Sequence, residues 1–205
     1  DAMERNKIEA WLRAQMIPGS IDVNIMTKVD RNVVDKDGNI LEDASDAVAA
    51  MRGYANSNLT NSSVILSAGM NPRLYNYLDK LNAFDIDENG VFKKKVVVKV
   101  SDYRSALIQG KYLAKKGIWV SEFRIESGLN CGGHAFATDG YLLGPIMEEF
   151  KTKRNELTNE LFEIYKTVLQ TKNLIVPDAI PETRIAVQGG IGTHNENKFL
   201  LEYYN

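Results

Sequence analysis

Apolar and polar positions along this chain follow two periods, and the switches between them outline its elements. Ile8, Trp11, Leu12 and Met16 fall at helical spacing, so residues 2–16 read as a helix that Pro18-Gly19 stops. The run from Asp22 to Val29 reads as a strand, and Asp35-Lys36-Asp37-Gly38 as a turn. Ala44 to Tyr54 is a predicted helix, with Asp43 or Ser45 as its N-cap. Ser63 to Gly69 is a short buried strand, and Pro72 opens a helix to about Leu81.

The second half repeats the alternation. Residues 84–94 form a polar, hairpin-like insertion around Asp87-Glu88-Asn89-Gly90. The β-branched run Lys95 to Val100 is a strand. Asp102 caps a helix that Gly117 ends, and Ile118 to Ile125 is the next strand. A long helical stretch, 145–172, carries Ile146, Phe150, Leu157, Leu161, Ile164, Tyr165 and Val168 on one face, which reads as core or as an oligomer interface. Pro177 and Pro181 bound a linker, Arg184 to Gln188 is the last strand, and a short helix follows Gly189-Gly190-Ile191-Gly192. Strands alternating with helices mean parallel βαβ units in one α/β domain spanning 1–205. The alternation fits a doubly wound open sheet and a (β/α) barrel equally well.

Composition narrows the class. Among 205 residues, 44% are hydrophobic and 25% charged, which disfavours disorder, and a net charge of −2 gives no electrostatic case for nucleic acid or an anionic membrane. Lys93-Lys94-Lys95 reads as a solvated edge. The single cysteine, Cys131, excludes an intrachain disulfide and fits a reducing, cytoplasmic setting. No apolar run approaches the ~20 residues of a membrane span. The start, Asp1-Ala2-Met3-Glu4-Arg5, has no signal core and no initiating methionine, so the chain is expected to be a fragment of something longer.

Two runs could carry chemistry. Asn130-Cys131-Gly132-Gly133-His134 follows a strand, where parallel architectures put their catalytic groups. Its glycines allow close backbone approach, and His134 is a candidate general base. A turn with a surface histidine explains the same residues. Gln188-Gly189-Gly190-Ile191-Gly192-Thr193 also joins a strand to a helix and could hold a phosphate on its N–H groups. It is neither a dinucleotide fingerprint nor a P-loop. Asp85-x-Asp87-x-Asn89-Gly90 copies half a calcium loop, but Val96 stands where the bidentate carboxylate belongs, so a β-turn is expected. Cys131, His134 and His194 do not make a persuasive zinc set, and no metal is expected. No nucleophile elbow is present.

Taken in order, the strand, Gly132-Gly133-His134, the helix start Leu142-Leu143-Gly144-Pro145-Ile146, the next strand and Gly189-Gly190-Ile191 resemble the FMN-dependent nitronate monooxygenases. They equally resemble the flavin-containing enoyl-ACP reductases and the enoyl reductase subunits of polyunsaturated fatty acid synthases. Asp22-Val23-Asn24-Ile25 is similar to the strand whose Asn touches the flavin, although Gln188 stands where the family has a small residue. The resemblance implies an FMN-binding (β/α)8 TIM-type barrel. Such barrels take about 250 residues, so about five of eight strands are expected here.

The resemblance further implies FMN held by Asn24, Lys99, Gly132, Gly133, Gly189, Gly190 and Gly192, with Lys99 facing inward at a strand end to stabilise the reduced ring. His134 becomes general acid or base beside a nitroalkane, a nitronate or an enoyl thioester, with NAD(P)H a possible electron donor. A homo-oligomer or the remainder of a longer chain would complete the barrel. Two other readings stay open: a flavin-free barrel enzyme for a phosphorylated metabolite, of aldolase or isomerase type, and a non-catalytic interaction module.

Overall fold

A computed structural model describes residues 2–17, 19–25, 30–126 and 143–204. In chain order the elements are α1 (Ala2–Gln15), β1 (Ile21–Ile25), α2 (Asp46–Ala55), β2 (Ser62–Leu66), α3 (Pro72–Leu78), a 3-10 turn (Asn82–Phe84), β3 (Lys94–Val100), α4 (Tyr103–Ala114), β4 (Val120–Glu126), α5 (Leu143–Thr171), β5 (Arg184–Gln188) and α6 (His194–Tyr203). No helix among the described residues is long and apolar enough to cross a membrane.

All five strands are parallel and lie in the order β1-β2-β3-β4-β5. This order separates the two architectures that alternation left open. A doubly wound sheet reverses its stepping direction at a switch point. Here every crossover steps the same way, and because such crossovers are right-handed the helices gather on one face. The arrangement is compatible with five consecutive strands of a β/α barrel. Among the described residues β1 and β5 are the sheet's edges.

One sheet face builds the core. Val64, Leu66, Val96, Val98, Val100, Phe123 and Ile125 pack with Val48 and Met51 of α2, Leu74 and Leu78 of α3, Leu113 of α4 and Leu157 and Leu161 of α5. A register shift between Val96 and Val97 puts one extra residue into β4: Val96 pairs with Val120, but Val97 pairs with Glu122. Strict alternation would set Val120 on the same face as Glu122. The bulge instead turns Val120 into the core and leaves Glu122 on the opposite face. Close packing of α4 against α5 depends on Gly110, where a Cβ would lie 2.8 Å from Leu161 Cδ1 and 3.0 Å from the Phe123 ring.

Local chemistry sets several helix ends, but the start of α2 is held from a distance. Asn71 and Asp102 accept the Leu74 and Ser105 N–H groups, and Thr193 with Glu196 forms a reciprocal capping box on α6. Gly117, at φ +77°, closes α4 as expected. Ser45 occupies the N-cap position of α2 without capping it through its side chain. The Asp30 carboxylate does so from a distance, accepting from the Ala47 N–H at 3.0 Å and the Ser45 hydroxyl at 3.1 Å.

The insertion at 84–94 is hairpin-like, with a bridge between Ile86 and Phe92. Asp87 accepts the Asn89 and Val91 N–H groups at 2.9 Å, so its carboxylate organises a turn, as expected from the absent calcium ligand. The helix opened by Pro72 ends at Leu78, three residues short of the predicted end at Leu81. Lys94 corrects a second expectation. It is 5% exposed and donates to Ala55 O at 2.6 Å and Ser57 O at 2.7 Å, so it caps the C-terminal end of α2 instead of forming a solvated edge. α1 and α6 bury no residue fully.

Candidate functional site at the carboxyl rim of the sheet

The second face of the sheet is polar. Period-two alternation and the strand register place Asp22 and Asn24 of β1, Ile65 of β2, Lys95, Val97 and Lys99 of β3, Glu122, Arg124 and Glu126 of β4, and Arg184, Ala186 and Gln188 of β5 on it. Because the strands are parallel, their carboxyl ends form one rim, and in such folds ligands bind there.

A charge ladder runs across this face. Glu122, 4% exposed, accepts from Arg124 Nε and from Arg184 Nη2, each at 2.7 Å. That hydrogen bond and the charge behind it hold the Arg184 guanidinium protonated even more firmly than usual. Arg124 also lies 3.8 Å from Asp22. Nearer the rim, Lys99 Nζ approaches Glu126 Oε1 at 3.5 Å. Lys99 and Arg124 are register partners on adjacent strands, so two cations stand side by side at one level.

The predicted site residues fall into three groups. Asn24, Lys99 and Gln188 share the polar face within two residues of the carboxyl ends of β1, β3 and β5. Asn24 and Lys99 are two strands apart and make no direct contact. Gly189 and Gly190 follow β5 at φ +90° and +81°, a consecutive left-handed pair that glycine alone adopts without strain. Gly192 is already engaged: its N–H and that of Thr193 donate to the Glu196 carboxylate at 2.9 and 2.8 Å. A phosphate on that turn would have to displace Glu196. Gly132, Gly133 and His134 lie outside the described residues, as do Cys131 and the start of the Leu142-Leu143 motif. Glu126, the last residue of β4, leads directly into that segment.

Sequence reasoning missed Glu122, Arg124 and Glu126. Their signal was present: acidic and basic residues at every second position of a strand whose other face carries Phe123 and Ile125. Among the described residues no cluster of His, Cys, Asp and Glu could hold a metal ion. His194 starts α6, and its side chain is exposed.

A cleft of about 440 Å³ opens between α5, β5 and α6, floored by Met147, Phe150, Val187 and Leu200. It lies on the helix side along the β5 edge and reaches the rim at Ile191. Its cations are spent: Lys151 sits 3.4 Å from the Tyr203 ring centroid, Arg154 donates to Thr183 O, and Arg184 holds Glu122. The cleft reflects the loose seating of α6 and lacks a converging polar set, so the rim is the better candidate.

Comparison with protein-family models, with curated proteins and with solved structures finds no match for this chain.

Proposed function

We propose that this chain carries the catalytic rim of an FMN-dependent oxidoreductase of β/α-barrel type, acting on a nitroalkane, a nitronate or an enoyl thioester. One observation carries the reading. Asn24, Lys99, Gln188 and the Gly189-Gly190 turn come from three separate strands, yet all stand at the same end of the sheet. The resemblance of spaced motifs names all of these but Gln188 as flavin contacts, and the parallel strand order is what puts their strand ends on one rim.

The donor set suits a flavin at its ring end. Lys99 is a buried ammonium with three N–H groups and one long contact among the described residues, and Asn24 offers an exposed amide. At the phosphate end the fit is narrower, because Glu196 holds the Gly192 amide and leaves Gly189 and Gly190. Bound FMN would supply the redox step by accepting and passing on an electron pair. The protein would orient the ring through Asn24 and Lys99, exclude water along the Ile65–Val97 floor, and move a proton at His134. NAD(P)H is the proposed donor for a reductase.

The test is the visible spectrum of the purified protein, followed by mass analysis of whatever denaturation releases. A yellow protein that releases FMN supports the reading. A colourless protein that does not take up added FMN overturns it.

A further inference from the structure

We infer that Lys99 and Arg124 form a subsite for a flat, delocalised oxyanion on the bound molecule, and that Glu126 is the built-in anion which this group displaces. The inference goes beyond the flavin reading and does not require it.

Three observations carry it. First, Lys99 and Arg124 are paired in register on β3 and β4, about 4.8 Å apart, on a partly buried face. Like charges directly opposite each other in a sheet repel, so the arrangement calls for an anion at their own level. Second, the acids available come from other levels. Glu122, one step nearer the amino ends of the strands, and Asp22 of β1, 3.8 Å away and nearer those ends still, engage Arg124, and Glu126 lies one step nearer the rim.

Third, the two buried lysines of β3 contrast sharply. Lys94, 5% exposed, has two carbonyl oxygens at 2.6 and 2.7 Å. Lys99, 8% exposed, has only Glu126 at 3.5 Å among the described residues, at the outer limit of a hydrogen bond. A buried ammonium with donors unspent among the described residues, beside a guanidinium that spends two N–H groups on Glu122, matches a planar acceptor able to take several hydrogen bonds at once.

That chemistry has two sources, a carboxylate on a substrate and the imide edge of a reduced flavin. The experiment separates them. Sodium acetate is titrated calorimetrically into the full chain at constant ionic strength, with acetamide and inorganic phosphate as comparisons. The variants are Lys99→Met, Glu126→Gln and, as a control on the same face at the opposite end, Lys95→Met. The expected result is acetate binding that Lys99→Met weakens at least tenfold, that Glu126→Gln strengthens several-fold, and that Lys95→Met leaves unchanged.

Glu126→Gln carries the test alone if Lys99→Met does not fold, because a merely structural pair would give weaker binding in that variant. If acetate does not bind, the ratio of affinities for reduced and oxidised FMN is measured. A tenfold fall in Lys99→Met, about 30 mV for a two-electron couple, assigns the subsite to the flavin edge. The proposal is overturned if phosphate or acetamide binds as well as acetate. It is equally overturned if Glu126→Gln weakens acetate binding, or if neither acetate affinity nor the FMN ratio responds to residue 99. A colourless protein that takes up no added FMN but still binds acetate through Lys99 would remove the flavin reading and keep this one.

Discussion

Arg124 of β4 lies 3.8 Å from Asp22 of β1, although two strands separate them. Three strand spacings amount to about 14 Å. Long side chains and a sheet curling toward its polar face together close that gap. On Arg124's own strand, Glu122 fixes the same guanidinium by a 2.7 Å hydrogen bond. A double-mutant cycle of Asp22→Asn with Arg124→Met should therefore give a small positive coupling, about 0.5 kcal/mol for a partly exposed pair. Zero coupling in urea unfolding would mean that the two groups do not meet in solution. Glu122→Gln should cost more, about 2–3 kcal/mol, because it strips a buried partner from two arginines.

Gly110 is the contact point of α4 with α5. Gly110→Ala should destabilise the chain by about 1–3 kcal/mol despite alanine's better helix propensity, since the added methyl meets Leu161 and Phe123 in a packed core. Gly53, in α2, has open space around it, and Gly53→Ala should stabilise by about 0.5–1 kcal/mol. Thermal unfolding of the two variants in opposite directions is the expected outcome.

Asp30 ties the loop after β1 to α2 and α3. Burial alone would raise its carboxyl pKa, but the Ala47 N–H, Asn71, Ser45 and the Arg73 charge outweigh burial and hold it below the ordinary value. A carboxyl lowered on folding contributes stability above its unfolded pKa, 3.8, and loses it as pH falls through the folded value. Asp30→Ala should cost about 1–2 kcal/mol at neutral pH, and the difference from wild type should shrink below pH 3.8. A gap that persists undiminished in acid would sink this account.

Tyr75 and Tyr165 act at the other end of the pH scale. Burial pushes both phenols well above their ordinary value of 10.0. An acid raised on folding is stabilising while the unfolded group stays protonated, so this contribution is intact below pH 10 and drains away above it. Alkaline difference spectroscopy should show these two phenols ionising together with unfolding, and later than exposed tyrosines. Ionisation at an ordinary pKa in the folded chain would contradict their burial.

Glu196 closes the turn that resembles a phosphate site. If Gly192 and Thr193 present their N–H groups to FMN, Glu196→Gln should tighten cofactor binding several-fold by removing the competing charge. It should also loosen α6, by up to about 1 kcal/mol. Flavin fluorescence titration reads the first effect and circular dichroism the second. Weaker flavin binding in this variant would place the phosphate elsewhere.

Much of this molecule was legible in its residues because the causes are local. The valines of β3, the caps Asn71 and Asp102 and the stop at Gly117 act within a few residues of their own backbone. Alternation accordingly yielded five strands, the hairpin-like insertion and the long α5. The stripe Glu122-x-Arg124-x-Glu126 was equally visible, but nothing local said which face it would share, or with what.

Tertiary structure decided the rest, because strand pairing joins residues that are distant in sequence. It ordered the strands β1 to β5 and so removed the doubly wound alternative. It inserted the bulge that sends Val120 into the core. It buried Lys94, whose two carbonyl partners lie 37 to 39 residues upstream. It supplied the α2 cap from Asp30, and it set Lys99 beside Arg124. The sequence determined which residues could bear charge at strand ends. Pairing across the sheet determined which of those charges meet, and it gathered them toward the carboxyl rim.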